Sequence, residues 1–227
     1  MNESNIPLTG PVARTDAVVA EFSSRVYGWT AAGVIASAMT AYWVQSNPTT
    51  LASAERHITL WILLPFAPLL LLMFLGRQSA VVGAGLFTAF CAIEGVSLGV
   101  IVSFYTTGTV ALALGTTAGL FVTMAVIGSV TKRDLTRMAN ILFFGLLGLI
   151  IASFANLFFA STGAEWLITY AGIAIFLGFS AYDAQRVKRI AMSGDTSTSS
   201  AIWCATSLYL DILNLFLFLL RIFGRSN

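Results

Sequence analysis

Ser207-Leu208-Tyr209-Leu210-Asp211-Ile212-Leu213-Asn214-Leu215-Phe216 is the stretch whose reading decides the fold. It is apolar enough to cross a membrane, yet a carboxyl group stands at its middle. A carboxylate at bilayer depth costs several kcal/mol by most estimates, so such residues face a protein interior or a water-filled cavity. Working outward, Asp183 lies near the end of the preceding apolar run, in Ala181-Tyr182-Asp183-Ala184-Gln185. Two acidic groups that can meet inside a membrane protein point to a site for protons or cations.

The rest of the chain agrees with a membrane location. Of its 227 residues, 57% are hydrophobic and 10% charged, whereas soluble domains carry about 25% charged residues. A chain so poor in charge cannot cover a water-facing surface, so the expectation is an all-α polytopic membrane protein. The net charge of +2 gives no ground for a nucleic-acid partner. Cys91 and Cys204 both fall in apolar runs and read as small buried hydrophobes, with no disulfide or zinc pattern. The one histidine, His57, supports neither a zinc site nor a Ser-His nucleophile.

A helix needs about 20 apolar residues to cross the hydrocarbon core. Seven runs meet the requirement, at 26–46, 58–76, 81–104, 109–130, 139–160, 165–185 and 202–223, and together they predict one seven-helix domain over 26–227. Residues 1–25 are polar and read as an unstructured cytoplasmic tail without a secretory signal. Breaks are expected at Asn47-Pro48, Gly76-Arg77-Gln78, Thr106-Thr107-Gly108, Thr131 to Asp134, Ser161-Thr162-Gly163 and the Ser/Thr-rich stretch 193–200, the last flexible by composition. Pro65 and Pro68 are expected to bend the second span and release backbone carbonyls. Gly95 with Gly99, and Gly115 with Gly119, have the spacing that lets helices approach closely.

Basic residues set orientation. Nine of the twelve Lys and Arg (Arg14, Arg25, Arg77, Lys132, Arg133, Arg137, Arg186, Lys188 and Arg189) fall on the side of the N-terminus in this arrangement. Arg56, Arg221 and Arg225 fall on the other. The asymmetry predicts a cytoplasmic N-terminus and an external C-terminus.

Within the spans, helical spacing gathers polar groups onto common faces. Ser207, Asp211 and Asn214 share one face of the seventh helix, Glu94 and Ser97 one of the third, and Ser153 and Asn156 one of the fifth. Tyr182 adjoins Asp183 and can donate a hydrogen bond, whereas Tyr209 is expected to point away from Asp211. Two carboxyl groups a few ångströms apart in low dielectric cannot both ionise cheaply, so they share a proton and titrate together. Their oxygens also suit hard cations such as Ca²⁺, so protonation would compete with cation binding at Asp183 and Asp211.

At these residues the chain resembles the Bax inhibitor-1 family, the transmembrane Bax inhibitor motif proteins. The resemblance rests on 178–185 (Gly-Phe-Ser-Ala-Tyr-Asp-Ala-Gln), on 207–217 continuing through Leu219-Leu220-Arg221-Ile222-Phe223-Gly224, on Thr131-Lys132-Arg133-Asp134-Leu135, and on Phe87-Thr88-Ala89 with Glu94-Gly95. The short tail and compact loops are most similar to bacterial members, implying a bacterial inner membrane. The resemblance implies a seven-helix fold with the last helix central, and a pH-sensitive Ca²⁺ leak gated by a di-aspartyl pair that maps onto Asp183 and Asp211. Glu94, Ser207, Asn214 and Tyr182 are candidates for the surrounding pore or network. Some members carry a second-helix arginine that latches onto the first aspartate; residues 60–75 here hold no charge.

On this reading the protein is not an enzyme, needs no cofactor, and has membrane lipid, protons and Ca²⁺ as its partners. Two rival readings remain at the level of sequence. One is a non-conducting regulator of membrane proteases or other membrane proteins. The other is an intramembrane aspartyl protease, against which Leu208-Tyr209-Leu210-Asp211 stands where that class has Gly-x-Gly-Asp.

Overall fold

The structure, a computed structural model, describes residues 11–225. Apolar runs of this length satisfy their backbone groups internally as helices, and the described residues form nine helices and no strand. These are α1 Pro11–Ser46, α2 Pro48–Arg56, α3 Ile58–Leu63, α4 Phe66–Leu75, α5 Ala80–Ser103, α6 Thr107–Val130, α7 Thr136–Phe159, α8 Thr162–Met192 and α9 Thr198–Arg225. Among the described residues, six segments are long and apolar enough to cross a membrane: 58–75, spanning α3 and α4, and each of α5 to α9. The 36-residue α1 has the length but mixes Thr30, Ser37, Thr40 and Gln45 into its apolar half, and it is not among the six.

The helices start where the sequence supplies caps. Hydroxyls of Ser79, Thr106 and Ser161 accept the N–H groups of Val82, Thr109 and Ala164 at the starts of α5, α6 and α8. Pro48 stands in the first turn of α2, where its missing N–H costs nothing. The 47–57 connection, expected as a loop, is therefore partly helical.

Two further expectations are corrected. Residues 11–25 continue α1 instead of forming a loose tail, because Phe22 and Val26, both fully buried, pack with Ala184, Val187 and Leu208 of α8 and α9. Residues 1–10 of that tail lie outside the described residues. The stretch 193–200 is also ordered. Asp195 accepts from the hydroxyls of Ser197 (2.9 Å) and Ser200 (2.6 Å), and the Ser197 hydroxyl caps α9 through the Ser200 N–H. These hydrogen bonds, from Ser200 first and then Ser197, hold the Asp195 carboxyl below its ordinary value.

The second span breaks at Leu64-Pro65, dividing it into α3 and α4. Pro65 has no N–H to give the Trp61 carbonyl one turn earlier. The Ser97 hydroxyl of α5 supplies the missing bond at 2.7 Å. Ser97 is thus committed to the backbone of α3.

The last helix lies at the centre. α9 packs against α1, α5, α6 and α8. Some 61% of its apolar window is buried, against 6% for α7 at the periphery. Its Tyr209, 1% exposed, sits edge-on to Phe87 and Phe90. The Tyr209 hydroxyl is 2.6 Å from that of Ser37, which donates to the Cys91 carbonyl at 2.9 Å, tying α9, α1 and α5 together. Close approach makes this geometry feasible. A Cβ on Gly95 would stand 2.6 Å from the Ser37 carbonyl, and one on Gly99 3.0 Å from that of Ala41. Gly115 and Gly119 share the same spacing but face open space.

The tightest approach to a backbone lies between α6 and α8, where a Cβ on Gly128 would stand 2.0 Å from the Ala181 carbonyl. Gly128→Ala is expected to destabilise the bundle by about 1–3 kcal/mol through overpacking. Gly115→Ala, with nothing within 4 Å, should leave stability unchanged or raise it. Thermal unfolding of both variants in detergent checks the contrast.

Candidate functional site

α8 and α9 are joined by five residues and pack against each other, so they run antiparallel. Asp183 stands nine residues, about 14 Å, before the end of α8, and Asp211 thirteen residues, about 20 Å, after the start of α9. Both therefore lie well inside the bundle. Asp183 is 8% and Asp211 4% exposed. One oxygen of Asp211, Oδ2, is buried without a hydrogen-bond partner.

A cavity of about 730 Å³ collects these groups. It is lined by Glu94 of α5, Ser153 of α7, Asp183 of α8, and Ser207, Asp211 and Asn214 of α9. Around them stand Pro65, Phe66, Phe90, Phe154, Phe176 and Phe179, so the polar groups sit in a largely apolar shell. The shared face of Ser207, Asp211 and Asn214 thus opens onto one hollow with both aspartates. Asn214 also donates to the Leu210 carbonyl at 2.8 Å.

Other sequence-selected residues lie elsewhere. Tyr182 is not among the cavity-lining residues; its ring carries the Arg189 guanidinium 5.3 Å from the centroid. Ser97 serves the α3 backbone. Asn156 accepts from the Ser161 N–H at 3.0 Å at the end of α7, where Ala160 adopts a left-handed conformation, and so closes the helix instead of facing inward.

Three contributors lie outside the residues selected for the site, and of these only Arg186, three residues after Asp183 on one helix face, is legible in the sequence. Arg186 reaches back one turn along α8, with Nη1 3.7 Å from Oδ1 of Asp183. The cation beside the first aspartate therefore comes from its own helix, in a chain whose second span has none. Gln185, 8% exposed, accepts from the Leu135 N–H at 2.9 Å and donates to the Arg133 carbonyl at 2.8 Å. Arg189 adds a bridge to Asp134 at 3.2 Å and a hydrogen bond to Thr136. The loop between α6 and α7 is thereby pinned to α8 two residues from Asp183. Asp134 is held below the ordinary carboxylate value, first by the Thr136 hydroxyl.

The family model described as inhibitor of apoptosis-promoting Bax1 matches residues 19–227, which include every residue lining this cavity. The chain belongs to the Bax inhibitor-1 family. Similar relatives are bacterial. "Inner membrane protein YbhL" of Escherichia coli (strain K12) is 34% identical over 230 residues, covering 97% of this chain and 98% of that protein. An "Uncharacterized protein" of Borreliella burgdorferi is 37% identical over 215 residues, covering 91% and 93%. "Uncharacterized protein YrjE" of Lactococcus lactis is 35% identical over 233 residues, covering 99% and 97%.

Because Gln185 alone satisfies two backbone groups of the α6–α7 loop, Gln185→Ala should release that loop. The expected result is faster amide exchange at Leu135 and faster trypsin cleavage after Arg133, at an order-of-magnitude cost of 1–3 kcal/mol for the groups left unpaired. Hydrogen exchange followed by mass spectrometry reads both segments.

Proposed function

We propose that the protein is a pH-sensitive calcium leak channel of the bacterial inner membrane, with Asp183 and Asp211 as its gating pair. The cavity that holds both aspartates together with Glu94 carries this reading. Asp211 presents a buried oxygen with no hydrogen-bond partner. Such a group is suited to exchanging a proton for a cation. Protonation removes the negative charge that attracts Ca²⁺ and the repulsion that separates the two carboxyls, so one event alters ion affinity and helix spacing together.

Ca²⁺ takes 6–8 oxygen ligands. Among the described residues no three His, Cys, Asp or Glu side chains are grouped to hold a metal. In this reading the carboxylates meet a hydrated ion in passage, with water completing its shell, and Ca²⁺ is cargo. The chemistry invoked is proton exchange alone, with no enzymatic step.

The proposed topology has seven crossings, α1 being the first, with the N-terminus in the cytoplasm. The basic loops on that side support it. The name of the Escherichia coli relative, an inner membrane protein, supports the compartment.

Calcium uptake into proteoliposomes, followed with an entrapped dye across a pH series, tests the reading. Wild type should show pH-dependent uptake, and Asp211→Asn should remove the pH response while the protein stays folded. Uptake that keeps its full pH response in Asp211→Asn and Asp183→Asn would exclude the pair from gating. Absence of uptake in wild type would favour the non-conducting regulator.

A further inference from the structure

α1 and α6 flank α9 on the side away from the acidic cavity, meet where Phe22 and Val26 cluster with Phe121 and Ala125, and leave a lateral crevice of about 690 Å³ between them. Its floor is α9, through Tyr209, Ile212, Leu213 and Phe216, and its walls rise to the exposed side chains of Ile35, Leu114 and Val122. The exposed wall residues continue onto the outer surface of α6, one of the membrane-crossing helices. What meets that surface is therefore the interior of the bilayer.

We infer that this crevice holds one acyl chain of a bilayer phospholipid. No lining residue is charged. The buried hydroxyls are already used: Thr30 donates to the Val26 carbonyl at 2.9 Å, Thr117 to that of Ala113 at 2.7 Å, and Tyr209 and Ser37 bond each other at 2.6 Å. An occupant thus finds apolar surface and no unmet polar group, which suits a hydrocarbon chain and excludes a polar ligand or a headgroup from the interior. Length agrees as well. The lining runs along α1 from Tyr27 to Gln45, nineteen residues, or about 27 Å of helix beside a hydrocarbon core of about 30 Å. The residues that end this run, Tyr27 at one end and Tyr42 with Gln45 at the other, are those that can meet an interface. Leu213 walls both this crevice and the acidic cavity, so the chain would lie one side chain away from the aspartates.

The inference stands independently of calcium conduction. It is tested with a phospholipid bearing a photoactivatable diazirine on its acyl chain, in phosphatidylethanolamine–phosphatidylglycerol vesicles holding the wild-type protein. Adducts after illumination should concentrate on crevice residues of α1, α6 and α9. Native mass spectrometry of the detergent-extracted protein should retain one phospholipid. Ala38→Trp and Ala118→Trp, which fill the crevice from exposed positions, should reduce that retention at least tenfold. Ile151→Trp, on the exposed face of α7, should not. Adducts spread evenly over α7 and the other exposed helices, or equal retention in all four proteins, would overturn the inference. So would a dimer that dissociates in the crevice-filling variants, which would assign the crevice to a second copy of this chain.

Discussion

A carboxyl group halfway along a hydrophobic helix cannot face lipid without a large desolvation cost, and Asp211 therefore obliges α9 to stand inside the bundle. Much of the architecture follows. An inner helix needs neighbours on all sides, and α1, α5, α6 and α8 supply them. Close neighbours need small residues, which Gly33, Gly95, Gly99 and Gly128 provide. The most exposed long span, α7, carries no ionisable group after Arg137 in its first turn. The charge that cannot be hydrated is placed where protein surrounds it, and the helix that bears no such charge is left to the membrane.

That arrangement divides α9 into two working sides. One side presents Ser207, Asp211 and Asn214 to the acidic cavity. The other presents Tyr209 and Phe216 to the apolar crevice, and the Tyr209–Ser37–Cys91 chain of hydrogen bonds anchors the helix between them. With this chain and the Arg221–Glu165 pair at 4.0 Å as its polar ties and apolar contacts elsewhere, a shift of α9 along or about its axis breaks few directional bonds. This is the mechanical property the proposed proton-driven gate requires. Arg186 complements it from α8 by keeping a cation beside Asp183.

Much of this was legible in the residues. The apolar runs predict helices, the family resemblance implies a central last one, and the spacing of Ser207, Asp211 and Asn214 predicts their common face. The break at Pro65 was legible too, because proline removes a specific donor, but its repair by Ser97 was not, since the partner lies 36 residues away. What escaped was mostly long-range. Residues 11–25 look like a tail in isolation, and only the contacts of Phe22 and Val26 with α8 and α9 make them part of the bundle. The loop at 193–200 looks flexible by composition, yet Asp195 uses its serines as donors. Tyr182 adjoins Asp183 in sequence, but neighbouring helical residues point about 100° apart, and its ring meets Arg189 instead.

The claim on which the account rests is that Asp183 and Asp211 exchange protons as one unit inside the bundle. Infrared difference spectroscopy of protein with isotopically labelled aspartate carboxyls, recorded across pH in lipid, observes the protonated form of Asp211 directly. The account predicts a carboxyl band whose titration midpoint moves when Asp183 is replaced by Asn. A band that titrates identically with and without Asp183, or that never titrates between acid and alkaline pH, would contradict it.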